Sequence, residues 1–542
     1  MFFSLCALAL LGQAVLATPT GNRYPYGNGT TAPISNLKAC VQAVFGNNAS
    51  QRVVDANDAT YTDARLGEPI QFEQFPALIA YAETAWEVPA LITCAKRNGY
   101  KAIPRNGGHH FLSYSALNNS LTIDLTHIDY INVAQDLQTA TVGAGIRQGA
   151  LYAGLGEYNK TYAGGICPTV GLSGLLGSGG FTMQMRSLGL GVDNVVGAKV
   201  VTADGRLLTV SENEHPDLWF ALRGGGGSTY GIVVEWTLKL VTFPRSAMVL
   251  LNWTDTESQF PVAKRFFEWG PAAPKELGSQ INVYKNRVEF VGWYLGGSKE
   301  ELQRLIDDSG LLKIGKPQVS IAGNCNTDNS RLWGYGINEC IADAQVEPLV
   351  SNLNTVQQSF AQVGNYPQFS FDETTKRTDL PAASPWPRFR RMSKSFFLQK
   401  SKPLEDSVLQ EVIDQIRQLD DASQVWGEWH AWNISDASTT SAFAWKSQAY
   451  AHLEFQVHGS EDPTTQKTYE NWFDNLESFL RPAVGQASYS GYMDKGISTN
   501  HLTSYYGDNV CKLIGIKKRW DPENFFTNPY TIPTSAPEGI NC

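Results

Sequence analysis

The 542-residue chain is short of charge, with only 18% Asp, Glu, Lys and Arg. At the same time 42% of it is hydrophobic, which excludes a disordered polymer and supplies a sizeable core. No long basic run occurs, and Lys+Arg 43 against Asp+Glu 52 leaves net −9, so nucleic acid is not an expected partner. After residue 17 no stretch stays apolar for about 18 residues, so nothing there reads as membrane-spanning. The eight histidines are scattered and only His109 and His110 are adjacent, so no metal-ligand spacing is present and no metal is expected. No Gly-Lys-Ser/Thr closes a glycine cluster, which excludes a P-loop. Gly171-Leu-Ser-Gly174-Leu-Leu-Gly177 has the wrong spacing for the Gly-x-Gly-x-x-Gly turn of a dinucleotide βαβ unit, and it lies mid-chain. Internal repeats and low-complexity segments are also missing. The length predicts two large domains or up to about four.

Residues 1–17 are uncharged and nearly all apolar, with small Val15 and Ala17 before Thr18-Pro19. They predict a cleaved secretory signal peptide without a basic n-region, and hence an extracellular protein. Sequons at Asn28, Asn48, Asn118, Asn159, Asn252 and Asn433 agree with export. With Cys6 removed, the mature chain keeps Cys40, Cys94, Cys167, Cys325, Cys340, Cys511 and Cys542. Seven is odd, so at least one cannot pair internally. Cys325 with Cys340 can close a short loop, Cys511 with Cys542 can staple the tail, and Cys40 with Cys94 can tie the first helix to the first strand region. Cys167, in Gly164-Gly-Ile-Cys167-Pro-Thr169, is then left over.

Residues 18–37 read as an irregular N-terminal extension. Short apolar strands and helices follow over 38–245: a helix from Pro89 stopped by Gly99, and strands at Ser120–Leu125, Thr139–Gly145, Val195–Thr202 and Ile232–Leu240. Over 246–484 glycine thins out. Leu404, Val408, Leu409, Val412, Ile413, Ile416 and Leu419 recur at helical spacing, between strand-like Ala247–Trp253, Val288–Leu295 and His452–His458. This predicts an α+β domain whose sheet is covered by helices on one side. Residues 485–533 read as loop-rich and aromatic, and 534–542 as a tail.

Three glycine clusters stand beside strands: Arg105–His109, Gly164–Gly180 and Gly224–Gly227. Glycine lets backbone N–H groups approach a ligand closely, which suits a pyrophosphate or a flavin edge. At these residues the chain resembles the berberine-bridge-type flavoproteins of the vanillyl-alcohol-oxidase superfamily, and is similar to fungal oligosaccharide oxidases. Arg105-Asn106-Gly107-Gly108-His109, Cys167-Pro-Thr-Val170-Gly171-Leu-Ser173-Gly174, and Asp217-Leu-Trp-Phe-Ala-Leu-Arg-Gly-Gly-Gly-Gly227 each resemble a motif of that family. So do Tyr505-Tyr-Gly-Asp-Asn509 and Lys517-Lys-Arg-Trp-Asp-Pro-Glu-Asn-Phe-Phe526. The resemblance implies an α+β, PCMH-type, two-part FAD-binding domain (38–245 and 485–533) flanking the substrate domain. It also implies bicovalent FAD, with His109 on the 8α carbon and Cys167 on C6. His110 is the competing candidate for the first link. The remaining cofactor contacts it implies are Arg105, Asn106, Gly107, Gly108, Gly171, Ser173, Gly174 and Gly177, with Ile232, Tyr505 and Asn509. Val170 resembles the small residue that admits O2 to the flavin.

For catalysis, His452, Glu454, Gln456 and His458 share one strand face, and Leu453, Phe455 and Val457 the other. Four polar groups on one face suit either a solvated edge or the floor of a site. The family's substrate strand lies here and implies a carboxylate base, either Glu454 or, after a two-residue shift, a role for Gln456. Tyr489-Ser-Gly-Tyr492 resembles the family's Tyr-x-Asn-Tyr, which makes Tyr492 the first expected proton acceptor. Three positions depart from the pattern: Phe111 for Tyr, Leu175 for His, and Gly491 for Asn. The expected function is a secreted oxidase moving a hydride from a hydroxyl-bearing carbon, foremost an oligosaccharide C1, to FAD, with O2 reoxidation to H2O2. The alternative substrate is a secondary-metabolite or aromatic alcohol, including oxidative ring closure. The expected partners are a small-molecule substrate and O2, with no membrane and a monomeric chain. A flavin-free binding protein and a dehydrogenase passing electrons to a quinone or protein are the competing classes.

Overall fold

Short β-branched runs build two small sheets early in the chain, and longer alternating runs build one large sheet later. The computed structural model describes residues 32–156, 158–165, 167, 169–242, 246–323, 388, 390–434 and 440–542. The signal peptide, most of the N-terminal extension, Asn28 and the Cys325–Cys340 pairing lie outside these residues.

The first sheet has the order β1 (Val53–Val54), β2 (Leu78–Tyr81), β4 (Leu121–Asp124), β3 (Ala102–Arg105), with β2, β4 and β3 parallel. Parallel strands need crossovers, and the helix Glu87–Arg97 supplies the one between β2 and β3. It ends at Asn98, with Gly99 at φ 75°. A disulfide joins its Cys94 to Cys40 of the helix Ile34–Phe45, as the spacing suggests. The second sheet is antiparallel, ordered β5 (Ile131–Val133), β6 (Thr139–Gly143), β10 (Ile232–Lys239), β8 (Val195–Val201), β9 (Leu207–Val210). A small ribbon pairs β7 (Lys160–Thr161) with β11 (Val241–Thr242). These sheets share one hydrophobic core with the C-terminal residues Leu502 to Ile532.

The third sheet is antiparallel with seven strands. Its order is β15 (Gln318–Ala322), β12 (Ser246–Trp253), β14 (Val288–Leu295), β13 (Leu277–Tyr284), β17 (Trp426–Ala431), β18 (Ala449–His458), β16 (Arg391–Gln399). One face carries Val249, Ile281, Phe290, Trp429 and Phe455, and packs on the helices Gln259–Trp269, Lys299–Ser309, Asp406–Gln418 and Pro463–Val484 in a second core. The other face turns toward the first core, to which Met248, Leu250, Val291 and Trp293 belong. Arg186 adds a polar tie between the two parts, donating to the carbonyls of Pro271, Ala273, Pro274 and Leu277.

Residues 485–533 are more helical than their composition suggests. His501–Tyr506 and Val510–Trp520 are helices, and Asn500 caps the first through its side chain. Lys517 of the second is fully buried and donates to Asp521, to the Phe526 carbonyl and to the Thr229 carbonyl behind the Gly224–Gly227 turn. That segment is thereby fastened to the first half of the chain. Cys511 and Cys542 form the expected staple.

Candidate active site

The glycine clusters come together by backbone contact. A Cβ on Gly107 would collide with the Gly171 backbone, and one on Gly177 would meet Gly227 Cα at 2.5 Å. A side chain at Gly67 would likewise collide with the Gly108 carbonyl. Asn106 Oδ1 accepts the Ser173 N–H at 3.0 Å, and Ser173 Oγ accepts from Trp236 Nε1 at 3.0 Å. The loops after β3 and before the helix Leu172–Ser178 are therefore one structure. Such a glycine-lined seam lets backbone donors face a ligand without side-chain cover, which fits the flat ring and pyrophosphate of FAD.

His109 lies in this seam. Its Nε2 is 2.8 Å from Thr169 Oγ1, and its Nδ1 is 3.7 Å from Glu68 Oε2. Burial, reinforced by the charges of Arg147 and Arg391, holds its pKa well below the usual histidine value. The ring is thus neutral at physiological pH, the state in which an imidazole is a nucleophile. His110 behaves differently. Its Nδ1 accepts the Leu112 N–H at 3.1 Å, and burial brings its pKa down to about 4, so it serves its own turn.

Several expected contacts are engaged within the protein. Arg105 is buried in an ion pair with Asp124 at 2.5 Å and also donates to the Ala64 carbonyl. Tyr505 Oη accepts the Asp494 N–H, and Asn509 Nδ2 donates to the Ala442 carbonyl. Ile232 is buried at the start of β10. Gly174 is exposed, with no atom within 4 Å of where its Cβ would be. Val170 sits at the turn, its carbonyl accepting the Gln148 N–H at 3.0 Å. One expectation is corrected. Cys167 is disulfide-bonded and so is not a leftover thiol. Odd-number counting identifies that some cysteine is spare, not which one. In this state its sulfur has no valence for a flavin carbon.

The inner face of the large sheet forms a floor. In β18 the residues His452, Glu454 and Gln456 are all buried, which removes the solvated-edge reading. The register with β17 sets Glu428 opposite Glu454, His430 opposite His452, and Trp426 opposite Gln456. On the other side Ser393 pairs with Gln456, and Ser395 with Glu454. Gln280 of β13 faces His430. Ser393 Oγ donates to Glu454 Oε1 at 2.8 Å, and Tyr492 stands near enough for the charge of that carboxyl to act on its phenol. Gln280 Oε1, Gln456 Oε1 and Glu428 Oε2 are buried with no hydrogen-bond partner among the described residues. Orphaned acceptors on a buried floor suit a hydroxyl-bearing ligand, because unpaired buried polar atoms are costly.

Electrostatics separates the roles of these groups. Burial, and then the facing Glu428, push the Glu454 pKa well above the ordinary carboxylate value. Burial and the two carboxylates also push Tyr492 well above 10. A phenol beside two acids holds its proton, so Glu454 is the better acceptor and Tyr492 the better donor. Burial and the neighbouring His430 keep His452 neutral. Rings close the space around it: Phe181 stands 4.5 Å from His430 and 5.2 Å from His452, and Phe111 is edge-on to Tyr492 at 5.7 Å. Gly491 also has a local reason, since a side chain there would collide with the Tyr489 ring.

Sequence reasoning missed Glu428, His430, Gln280, Thr169, Glu68 and Arg391. A signal existed for two of them. Gly427, Trp429 and Ala431 alternate with Glu428 and His430, the same period that exposed β18.

Residues 76–211 match the FAD binding domain family, and residues 488–533 match the family described as berberine and berberine like. The FAD-linked oxidoreductase pynB of Aspergillus niger is 54% identical over 509 residues, covering 93% of this chain and 94% of that protein. The FAD-linked oxidoreductase pytB of Aspergillus terreus is 56% identical over 94% of this chain, which spans 63% of pytB's length. Chitooligosaccharide oxidase of Gibberella zeae is 28% identical, covering 85% of this chain and 88% of that protein. Among solved structures, a BBE-like 1 variant from Physcomitrella patens superposes with TM-score 0.77 at 23% identity, covering 92% of this chain and 100% of its own. The xylooligosaccharide oxidase of Myceliophthora thermophila gives TM-score 0.74 at 22% identity, covering 92% and 99%. These last two likenesses bear on the fold alone, which is the α+β, PCMH-type FAD-binding fold. The chain belongs to the berberine-bridge-like family of FAD-linked oxidoreductases.

Proposed function

We propose that this protein is a secreted oxidase that takes a hydride from the hydroxyl-bearing carbon of a small molecule, with FAD covalently held and O2 as the final acceptor. The proposed division is an FAD-binding part from 38–245 and 485–533, around a substrate domain at 246–484. The observation that carries the reading is the Glu454 carboxyl, buried on the floor, hydrogen-bonded by Ser393 and with its second oxygen free of any partner among the described residues. Burial and the facing Glu428 raise its pKa, so once ionised it is a stronger base than an exposed carboxylate. Glu454 takes the hydroxyl proton, Tyr492 holds the substrate oxygen through its own retained proton, and Gln456 and Gln280 supply further polar contacts. FAD, when bound, supplies the hydride acceptor. Asn106, Gly107, Gly108, Gly171, Ser173 and Gly177 would cradle it, and His109 would hold it at the 8α carbon. A second bond from Cys167 to C6 requires the Cys167 disulfide to open, a condition the His109 bond does not carry. Val170 would leave O2 a way in.

For the substrate, an oligosaccharide C1 is supported by the similarity to chitooligosaccharide oxidase. A less polar, aromatic or secondary-metabolite alcohol is supported by Phe111, which sets a hydrocarbon edge against Tyr492. The experiment is acid denaturation of purified protein, removal of small molecules, and flavin absorbance on the chain for wild type, His109→Ala and Cys167→Ala. Flavin kept by both single variants and lost in the double variant supports two bonds. Flavin released from wild type overturns covalent attachment, and no flavin at all in folded protein favours a binding protein. A panel of oligosaccharides and aromatic alcohols read by peroxide release separates the two substrate classes, and turnover supported by a quinone but not by O2 favours a dehydrogenase.

A further inference from the structure

The carboxyl of Glu68 has no place in alcohol oxidation, yet it is buried beside the flavin-linking histidine. Glu68 is held in place by backbone: its N–H donates to the Gly108 carbonyl at 3.0 Å, one residue before His109. Glu68 Oε1 pairs with Arg391 Nη2 at 3.0 Å, across from β16 of the large sheet. Its other oxygen, Oε2, has no hydrogen-bond partner among the described residues and stands 3.7 Å from His109 Nδ1. The opposite ring nitrogen, Nε2, is engaged by Thr169 Oγ1. The histidine therefore presents one nitrogen to a hydroxyl and the other to a carboxylate oxygen that nothing else uses.

Resting on the reading that His109 carries FAD, we propose that Glu68 accepts the proton released on the Nδ1 side when the His109–8α bond forms, and that Arg391 holds it in place for that step. The bond joins an imidazole nitrogen to the 8α carbon, while one methyl C–H and the imidazole N–H break. Both protons leave, the imidazole proton to Glu68 and the methyl proton to solvent. The electron pair remains on the flavin ring until O2 takes it, giving peroxide. Burial raises the pKa of Glu68 and Arg391 lowers it, so the carboxylate is a stronger base than an exposed one but still has a counter-charge. Because Arg391 belongs to the large sheet and Glu68 to the first part of the chain, covalent attachment depends on both parts being docked.

The test compares wild type, Glu68→Gln and Glu68→Asp, made flavin-free under riboflavin limitation and then incubated with FAD. The readout is the mass of the His109 peptide over time, not turnover. The expected result is at least a tenfold slower appearance of the flavin-bearing peptide in Glu68→Gln, with FAD still bound non-covalently, and partial recovery in Glu68→Asp. Glu68→Gln forming the bond at the wild-type rate overturns the proposal. So does Glu68→Asp forming it no faster than Glu68→Gln, which would mean that Glu68 only shapes the loop. If Glu68→Gln does not fold, Glu68→Ala takes its place, and Glu68→Ala forming the bond as fast as Glu68→Asp overturns the proposal. Wild-type protein with no flavin on the His109 peptide refutes the underlying reading instead.

Discussion

Replacing Glu454 by Gln keeps the bulk and most hydrogen bonds of the side chain but removes its ability to take a proton. The expected outcome is a fall in kcat of about 10²–10⁴-fold, with flavin content and thermal midpoint close to wild type, read by steady-state peroxide release. Glu428 gives the complementary prediction. Activity should rise with pH as Glu454 loses its proton, at a pH above the ordinary carboxylate range. Glu428→Gln removes the facing negative charge, lowers the Glu454 pKa and moves that limb to lower pH. It should not reach the ordinary value, because burial is the larger cause and persists. A pH–rate profile of the two proteins checks this. The same raised pKa means that the folded chain keeps a proton the unfolded chain has lost. The Glu454 contribution to stability therefore declines as pH rises from about 4.3 and levels off above the folded pKa. That Glu454 and Tyr492 would lie near one another was legible in the sequence, because one lies on a clean alternation and the other in a stretch that resembles a family motif. Glu428 was not, since its importance comes from a strand register across 26 residues of separation. The disulfide of Cys167 was not legible either, because pairing is a matter of distance in the folded chain.

Elements with a strict period were the readable ones. The strand Val288–Leu295 has the expected bounds, and the helix Asp406–Gln418 lies inside the apolar pattern from Leu404 to Leu419. The C-terminal segment was not readable, because its helices are short, interrupted at Gly507, and rich in Tyr. Two predictions concern the elements that shape the cofactor seam. Gly107→Ala forces a methyl into the Gly171 backbone, which cannot retreat without separating the two loops. The expected result is folded protein with little or no flavin, measured as the ratio of flavin to protein absorbance. Lys517→Met leaves Asp521 buried without its partner, a change that costs about 3–5 kcal/mol. A lowered thermal midpoint is expected, and the double change Lys517→Met with Asp521→Asn should recover part of it.

At the scale of the whole molecule, the proposed export would leave a testable mark on the surface. Asn48 and Asn159 are exposed, whereas Asn118 accepts the Phe75 N–H and Asn433 donates to the Pro271 carbonyl. Glycans are therefore expected first at Asn48 and Asn159. Peptide mass mapping of protein secreted from a eukaryotic host, before and after enzymatic deglycosylation, checks this. Occupancy confined to Asn118 and Asn433 would contradict it. The change in glycine content near residue 246 falls where the first strand of the large sheet, Ser246–Trp253, begins. The facing of two acids and two histidines across that sheet was not legible, since no local pattern encodes which strands become neighbours.

The ammonium of Lys517 reaches the carbonyl of Thr229, nearly three hundred residues earlier in the chain. On a ribosome making the protein from its N-terminus, the turn at Gly224–Gly227 waits for that contact until the helix Val510–Trp520 has left the exit tunnel. Both glycine loops of the seam can emerge and collapse early, but their closing partner is translated nearly three hundred residues later. Flavin capture is thus timed by synthesis: a nascent or truncated chain ending before Lys517 should be proteolytically soft and colourless, and the yellow, resistant species should appear only once the helix Val510–Trp520 has been made.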